Sequence, residues 1–204
     1  MTVKAAQIVS FVFHPLLLTT YLVLLLGRWM PAMLLVRQEH LLTFVAFIFG
    51  ITFVLPALNV LVFRQFGMIA SWRMGTRQER ILPFVFNSIV YLLIAVLFIY
   101  KVHLSTNFTK LMLVIAILAV AGTVFTFFFK ISIHSMAWAG LIGIVLPLNN
   151  ATNGTLLLPT AALIVIAGVV MSARLKLNVH TPQEVMVGGL AGFSIGIVGM
   201  NILF

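Results

Sequence analysis

The sequence predicts an all-α integral membrane protein, a polytopic transmembrane helical bundle of six to seven spans folded as a single domain over residues 1–204. Three observations carry this expectation. Hydrophobic residues make up 63% of the chain and charged residues 7%, against ~25% charge in soluble domains, so a water-facing surface cannot be covered. The apolar residues fall in unbroken runs such as LMLVIAILAVAGTVFTFFF, near the ~20 residues that cross ~30 Å of hydrocarbon as a helix. The alternation that a β-barrel needs is absent, whereas a helix satisfies its own backbone hydrogen bonds in lipid.

Seven apolar stretches can be read in order. The first, roughly residues 8–27, is too long for a cleaved signal peptide, lacks an A-x-A-like site and has one lysine, Lys4, before it, so it is read as a span. The second, roughly 41–63, ends at the basic loop RQFGMIASWRMGTRQERILPF, and the third, roughly 83–100, opens at Pro83. The fourth, roughly 109–129, is closed by the polar KISIHS of Lys130–Ser135. The fifth, roughly 134–148, runs to the uncharged turn NNATNG. The sixth, roughly 156–173, leads into ARLKLNVHTPQEV, and the seventh covers roughly 184–203. Its opening Thr181-Pro182-Gln183-Glu184 reads as a capping box with proline at the first helical position. The connections are too short for a second domain, and no linker, low-complexity tract or repeat interrupts them.

The chain holds no cysteine, which removes disulfides, thiolate metal sites and cysteine nucleophiles. Its formal charge of +9 would suggest nucleic acid in a soluble protein. Here the basic residues lie in short loops beside helix ends, so anionic head groups or a phosphate-bearing substrate fit better, and no nucleic-acid partner is expected.

The polar residues then locate the chemistry. With seven spans, parity brings the first basic loop, KISIHS and ARLKLNVHTPQEV to one membrane face, which gathers Arg73, Arg77, Arg80, Lys130, Ser132, His134, Arg174, Lys176, His180 and Glu184. On a helix, Arg73 and Arg80 would project from nearly the same side two turns apart. Guanidinium groups present planar donor geometry suited to phosphate oxygens. Two histidines with a carboxylate supply a nucleophile or base, an acid and an orienting group. Phosphoryl transfer fits this inventory, because fixed positive charge stabilises the charge developing on the transferring group.

At these residues the chain resembles the type 2 phosphatidic acid phosphatase superfamily, the lipid phosphate phosphatases. Arg174, five residues, His180, three residues and Glu184 resemble the family's third motif, S-R-x5-H-x3-D. Arg73, six residues and Arg80, with Pro83 beyond, resemble the first motif, K-x6-R-P, and Ser132-Ile133-His134 resembles the second, P-S-G-H. The likeness covers residues 73 to 190. Arg73 stands for lysine, Ile131 for the proline and Ile133 for the glycine of the second motif, Ala173 separates Ser172 from Arg174, and Glu184 stands for aspartate.

The resemblance implies a lipid phosphate or pyrophosphate substrate and a multi-pass protein of a bacterial cytoplasmic membrane, surrounded by membrane lipids. It implies no metal and no cofactor. His180 is then the nucleophile that forms a phosphohistidine, Glu184 holds its imidazole in the reactive tautomer, and His134 serves the leaving oxygen and then the hydrolytic water. Arg73, Arg80, Arg174, Ser132 and Lys130 become phosphate-binding residues, and the last helix would aim its positive end at the phosphate. Two other readings of the same residues stay open, a non-catalytic scaffold that binds lipid phosphates and a transporter or flippase, either of which would also place cations and histidines at membrane depth.

The remaining features read as structural. Gly188, Gly192 and Gly196 form a small-residue stripe for close helix approach, inside the bundle in preference to a homodimer seam. His14 and His103 lie away from the motifs and His40 in an opposite-face loop, so none is expected to carry chemistry. Loop charge leaves sidedness open, because removing the presumed phosphate ligands nearly evens the two faces.

Overall fold

A computed structural model describes residues 1–70, 74–102 and 105–204. The described residues are overwhelmingly helical and contain no strand. Among the described residues ten α-helices follow in order: α1 (Val3–Val12), α2 (Leu18–Trp29), α3 (Pro31–Leu34), α4 (Leu41–Phe49), α5 (Leu55–Gln65), α6 (Arg77–Tyr100), α7 (Thr106–Phe128), α8 (Ile133–Ala151), α9 (Leu157–Lys176) and α10 (Pro182–Leu203). Among the described residues, six helical segments are long and apolar enough to cross a membrane: Val3–Trp29, Gln38–Gln65, Arg77–Tyr100, Thr106–Phe128, Leu157–Lys176 and Pro182–Leu203. This matches the expected polytopic bundle.

The fifth apolar stretch is the one that differs. It forms α8, but His134 and Ser135 at one end and Asn149 and Asn150 at the other lower its hydropathy, and it is not among the six. At 19 residues it is still ~28 Å long. It packs against both α9 and α10 and buries Trp138, Leu141, Ile144 and Val145 completely or nearly so, so neighbouring helices shield it. The first stretch also differs, since it is broken into two helices at His14-Pro15.

The chain divides into two compact units, Met1–Leu18 with Ile131–Phe204, and Thr19–Lys130. In the first unit α1 packs on α9, while α8 packs on α9 and most closely on α10. The predicted glycine stripe makes that closeness. A Cβ at Gly188, Gly192 or Gly196 would meet the carbonyl oxygen of Ser132, Met136 or Gly140 at 2.7, 2.0 and 2.5 Å. Both series ascend together, so α8 and α10 run parallel with their N-termini side by side. The stripe is spent inside the unit. In the turn from α8 to α9, Asn153 (φ 50°) and Gly154 (φ 87°) take left-handed backbone, and the Gly154 N–H donates to the Asn149 carbonyl at 2.9 Å.

The second unit is built on an α6–α7 hairpin with a polar seam. The Ser88 and Thr123 hydroxyls lie 2.6 Å apart, with the Ala119 carbonyl 3.0 Å from Ser88 Oγ and the Phe84 carbonyl 3.0 Å from Thr123 Oγ1, so one hydroxyl donates to the other and the second donates to its carbonyl on the facing helix. Ring contacts of Phe108 with Phe44 and Phe98, at 5.5 and 5.3 Å between centroids, fill the space beside α4. Between α4 and α5 the helix passes through a π-helical turn, Gly50–Val54, just before Pro56. Proline lacks the N–H that would reach the carbonyl of Thr52, and the Tyr91 hydroxyl donates to that carbonyl instead at 3.0 Å.

Candidate functional site

The sharpest polar geometry lies where α10 begins. Thr181 caps the helix by accepting from Glu184 N at 3.3 Å, Pro182 fills the first helical position, and the Glu184 carboxylate accepts from Thr181 N at 3.3 Å. The box predicted from the sequence is present. The same carboxylate oxygen, Oε2, accepts from Nδ1 of His180 at 2.6 Å. Capping therefore fixes where the carboxylate stands, and the carboxylate fixes the imidazole. His180 carries its proton on Nδ1 and its lone pair on Nε2. Its side chain is 2% exposed, so this is a short charge-assisted bond shielded from water.

The beginning of α8 sits beside it. Ser132 N donates to the Glu184 carbonyl at 3.1 Å, tying the two helix starts together. Ser132 is fully buried, and its hydroxyl caps α8 by accepting from Ser135 N at 3.4 Å and from the Ser135 hydroxyl at 2.9 Å. Two residues on from Ser132, His134 Nε2 donates to the carbonyl of Ser10 in α1 at 3.2 Å. A carbonyl can only accept, so the His134 lone pair is on Nδ1.

The third histidine was not expected. His14 lies against His134, with ring centroids 5.4 Å apart and planes at 83°. Its Nδ1 accepts from Leu16 N at 3.3 Å as the cap of the short 3-10 turn Pro15–Leu17, which places its proton on Nε2. The expectation that His14 stands apart from the motifs is thus corrected. The chain separates His14 from His134 by more than a hundred positions, and only the packing of α1 in the first unit joins them. The available signal was the His-Pro pair inside an otherwise apolar span, which marks a helix break.

Arg174, in the last turn of α9, lies within electrostatic reach of both His14 and His134, and His180 within reach of His134. The first unit thus gathers His14, His134, His180, Glu184, Ser132 and Arg174 at the end where α8 and α10 start. Two helix N-termini and a guanidinium give that end a positive field suited to an anion. Among the described residues, no group of three or more histidine and acidic side chains could hold a metal ion.

The other expected ligands belong to the second unit. Helix α6 begins at Arg77, capped by Thr76 in a second capping box with Glu79. Arg73 itself lies outside the described residues, as does His103. Arg80 is 7% exposed and its Nε donates to the Met74 carbonyl at 2.8 Å. Arg77 donates to the Phe127 carbonyl at 2.6 Å. Lys130 is half-buried in the non-helical link that ends this unit. His40 stands on the surface with Glu39 and Arg37.

No family model, no curated protein and no solved structure matches the chain.

Proposed function

We propose that this chain is an integral-membrane lipid phosphate phosphatase, hydrolysing the phosphomonoester or pyrophosphate of a lipid through a phosphohistidine and without a metal ion. The observation that carries the reading is the 2.6 Å contact between His180 Nδ1 and Glu184 Oε2 at the positive start of α10. Nδ1 of His134 first takes the proton of the monoprotonated phosphate group, Nε2 of His180 attacks phosphorus, the new P–N bond forms as the P–O bond to the lipid breaks, and His134 passes that proton from Nδ1 to the departing oxygen. Glu184 stabilises the imidazole as it becomes cationic. His134 then takes a proton from water, whose oxygen attacks phosphorus, and the P–N bond breaks to release inorganic phosphate. Arg174 holds the phosphoryl oxygens, with the positive end of the α10 dipole beside it. Arg73, Arg80, Lys130 and Ser132 enter as phosphate ligands on the sequence resemblance alone, and the Ser132 hydroxyl already caps α8.

The test is release of inorganic phosphate from phosphatidic acid and from polyprenyl diphosphate by purified protein in detergent with a chelator present. Wild type should turn over at least one of them, and His180→Ala should abolish both turnover and trapping of a phosphorylated protein. If folded wild type releases nothing across the panel, the enzyme reading fails and a lipid-phosphate scaffold or transporter replaces it. If His180→Ala keeps full activity, the nucleophile assignment fails.

A further inference from the structure

The first helix ends in an unusual place. A break after roughly ten residues of an apolar segment leaves carbonyl groups without helical partners, and these need donors from elsewhere in the fold. The cause is local. Pro15 has no N–H and disfavours helical backbone at the residue before it, and His14 is accordingly extended at φ −66° and ψ 138°. The last backbone bond of the helix is Phe13 N to Val9 O.

What accepts and donates at the break is specific. In a continued helix the carbonyl of Ser10 would take the N–H of residue 14, and that of Phe13 the N–H of residue 17. Instead Ser10 O accepts from His134 Nε2 at 3.2 Å, and Phe13 O accepts from Trp138 Nε1 at 2.9 Å. His134 and Trp138 are four apart on α8 and so project from one face. The Trp138 ring also meets the Phe13 ring edge-on, at 5.3 Å and 85°. One break in α1 is thus matched by two donors on α8, and His14 closes the arrangement against the His134 ring.

We propose that the His14-Pro15 break is the positioning device for His134: it frees the Ser10 carbonyl, which fixes the Nε2–H tautomer and turns the Nδ1 lone pair toward the reacting group. His14, Pro15 and Trp138 are then positioning residues, and none of them needs to touch substrate. The functional half of this inference rests on the phosphatase reading, but the tautomer half does not.

The experiment uses full-length protein labelled with ¹⁵N-histidine in lipid nanodiscs, with His134→Gln supplying the assignment. Wild-type His134 should show a protonated Nε2 and an unprotonated Nδ1. In Pro15→Ala the helix regains the N–H of residue 14 for Ser10 O, and the His134 signals should become a mixture of tautomers while His180 keeps its Nδ1–H form. Turnover should fall by roughly tenfold or more with KM changed less than about twofold, part of the ~10²–10⁴ that acid–base catalysis contributes. Trp138→Phe, which keeps a ring and drops the donor, should show the same trend more weakly and covers the case in which Pro15→Ala does not fold. An unchanged His134 spectrum in both variants, or a wild-type His134 protonated on Nδ1, overturns the proposal. An inactive wild type with the expected spectra sinks the phosphatase reading alone.

Discussion

Replacing Gly192 by alanine should separate the two helices that carry the site. The added Cβ would stand 2.0 Å from the Met136 carbonyl oxygen, 2.7 Å from its carbon and 2.9 Å from its Cα, all backbone atoms of α8. Ordinary van der Waals contact begins near 3.4 Å, so the axes must part by about 1.4 Å at this level. No flexible side chain can absorb the movement. In lipid, helix association depends on close packing because the tails are as apolar as the interface, so the loss is not offset by a hydrophobic term. We expect about 3 kcal/mol of destabilisation, the upper end of the overpacking range. The Ser132 N to Glu184 O bond at the helix starts should open as well. The assay is unfolding of purified protein by denaturing-detergent titration, with Gly168→Ala as control. Gly168 is exposed on α9 and nothing stands within 4 Å of its Cβ position, so alanine there should be neutral or stabilise by up to about 1 kcal/mol through helix propensity. Equal stability of Gly192→Ala and Gly168→Ala would refute the close α8–α10 packing.

Two further substitutions read other parts of the argument. Glu184→Gln keeps a side chain that completes a capping box but no longer enforces the His180 tautomer, so stability should change by less than about 1 kcal/mol while phosphate release falls by roughly 10²–10⁴. Glu184→Ala should lose the cap as well, a further ~0.5–2 kcal/mol in the same titration, and equal stability of the two would show that the carboxylate does not cap. Tyr91→Phe leaves the buried Thr52 carbonyl without its donor and should cost about 1–3 kcal/mol in the same assay. Pro56→Ala restores the helical N–H to that carbonyl, so Tyr91→Phe in this background should be nearly neutral, and additive losses would refute the assigned partnership.

The legible part of this protein was whatever a run of residues decides locally. Apolar length fixed the spans, Thr181 to Glu184 announced a cap that the structure contains, and glycines four apart announced a close helix contact. The capping box of Thr76 and Glu79 follows the same rule, with threonine three residues before glutamate at the start of α6. What could not be read was set by packing across the chain. The acceptor for His134 is a backbone carbonyl on α1, and a carbonyl has no letter of its own. That α8 is less apolar than the six spans was visible in His134, Ser135, Asn149 and Asn150, but its shielding by α9 and α10 was not.

The three histidines of the first unit share one circumstance that bears on why a site can exist here at all. Within lipid, helix interiors satisfy their own backbone groups, and the polar groups left over are those at helix ends. His14 caps a 3-10 turn, His134 stands in the first turn of α8 and bonds the carbonyl end of α1, and His180 is held by the capping glutamate of α10. Each imidazole therefore has its tautomer set by a bond at a helix terminus. The same terminus needs a polar side chain for stability and leaves the opposite ring nitrogen with a defined role. Stability and chemistry are not separable at such positions, so a variant that spares one while removing the other must alter charge without altering shape, as Glu184→Gln does. That coupling also accounts for a glutamate at residue 184: at the third helical position its side chain reaches back to Thr181 N at 3.3 Å and to His180 at 2.6 Å with one and the same oxygen.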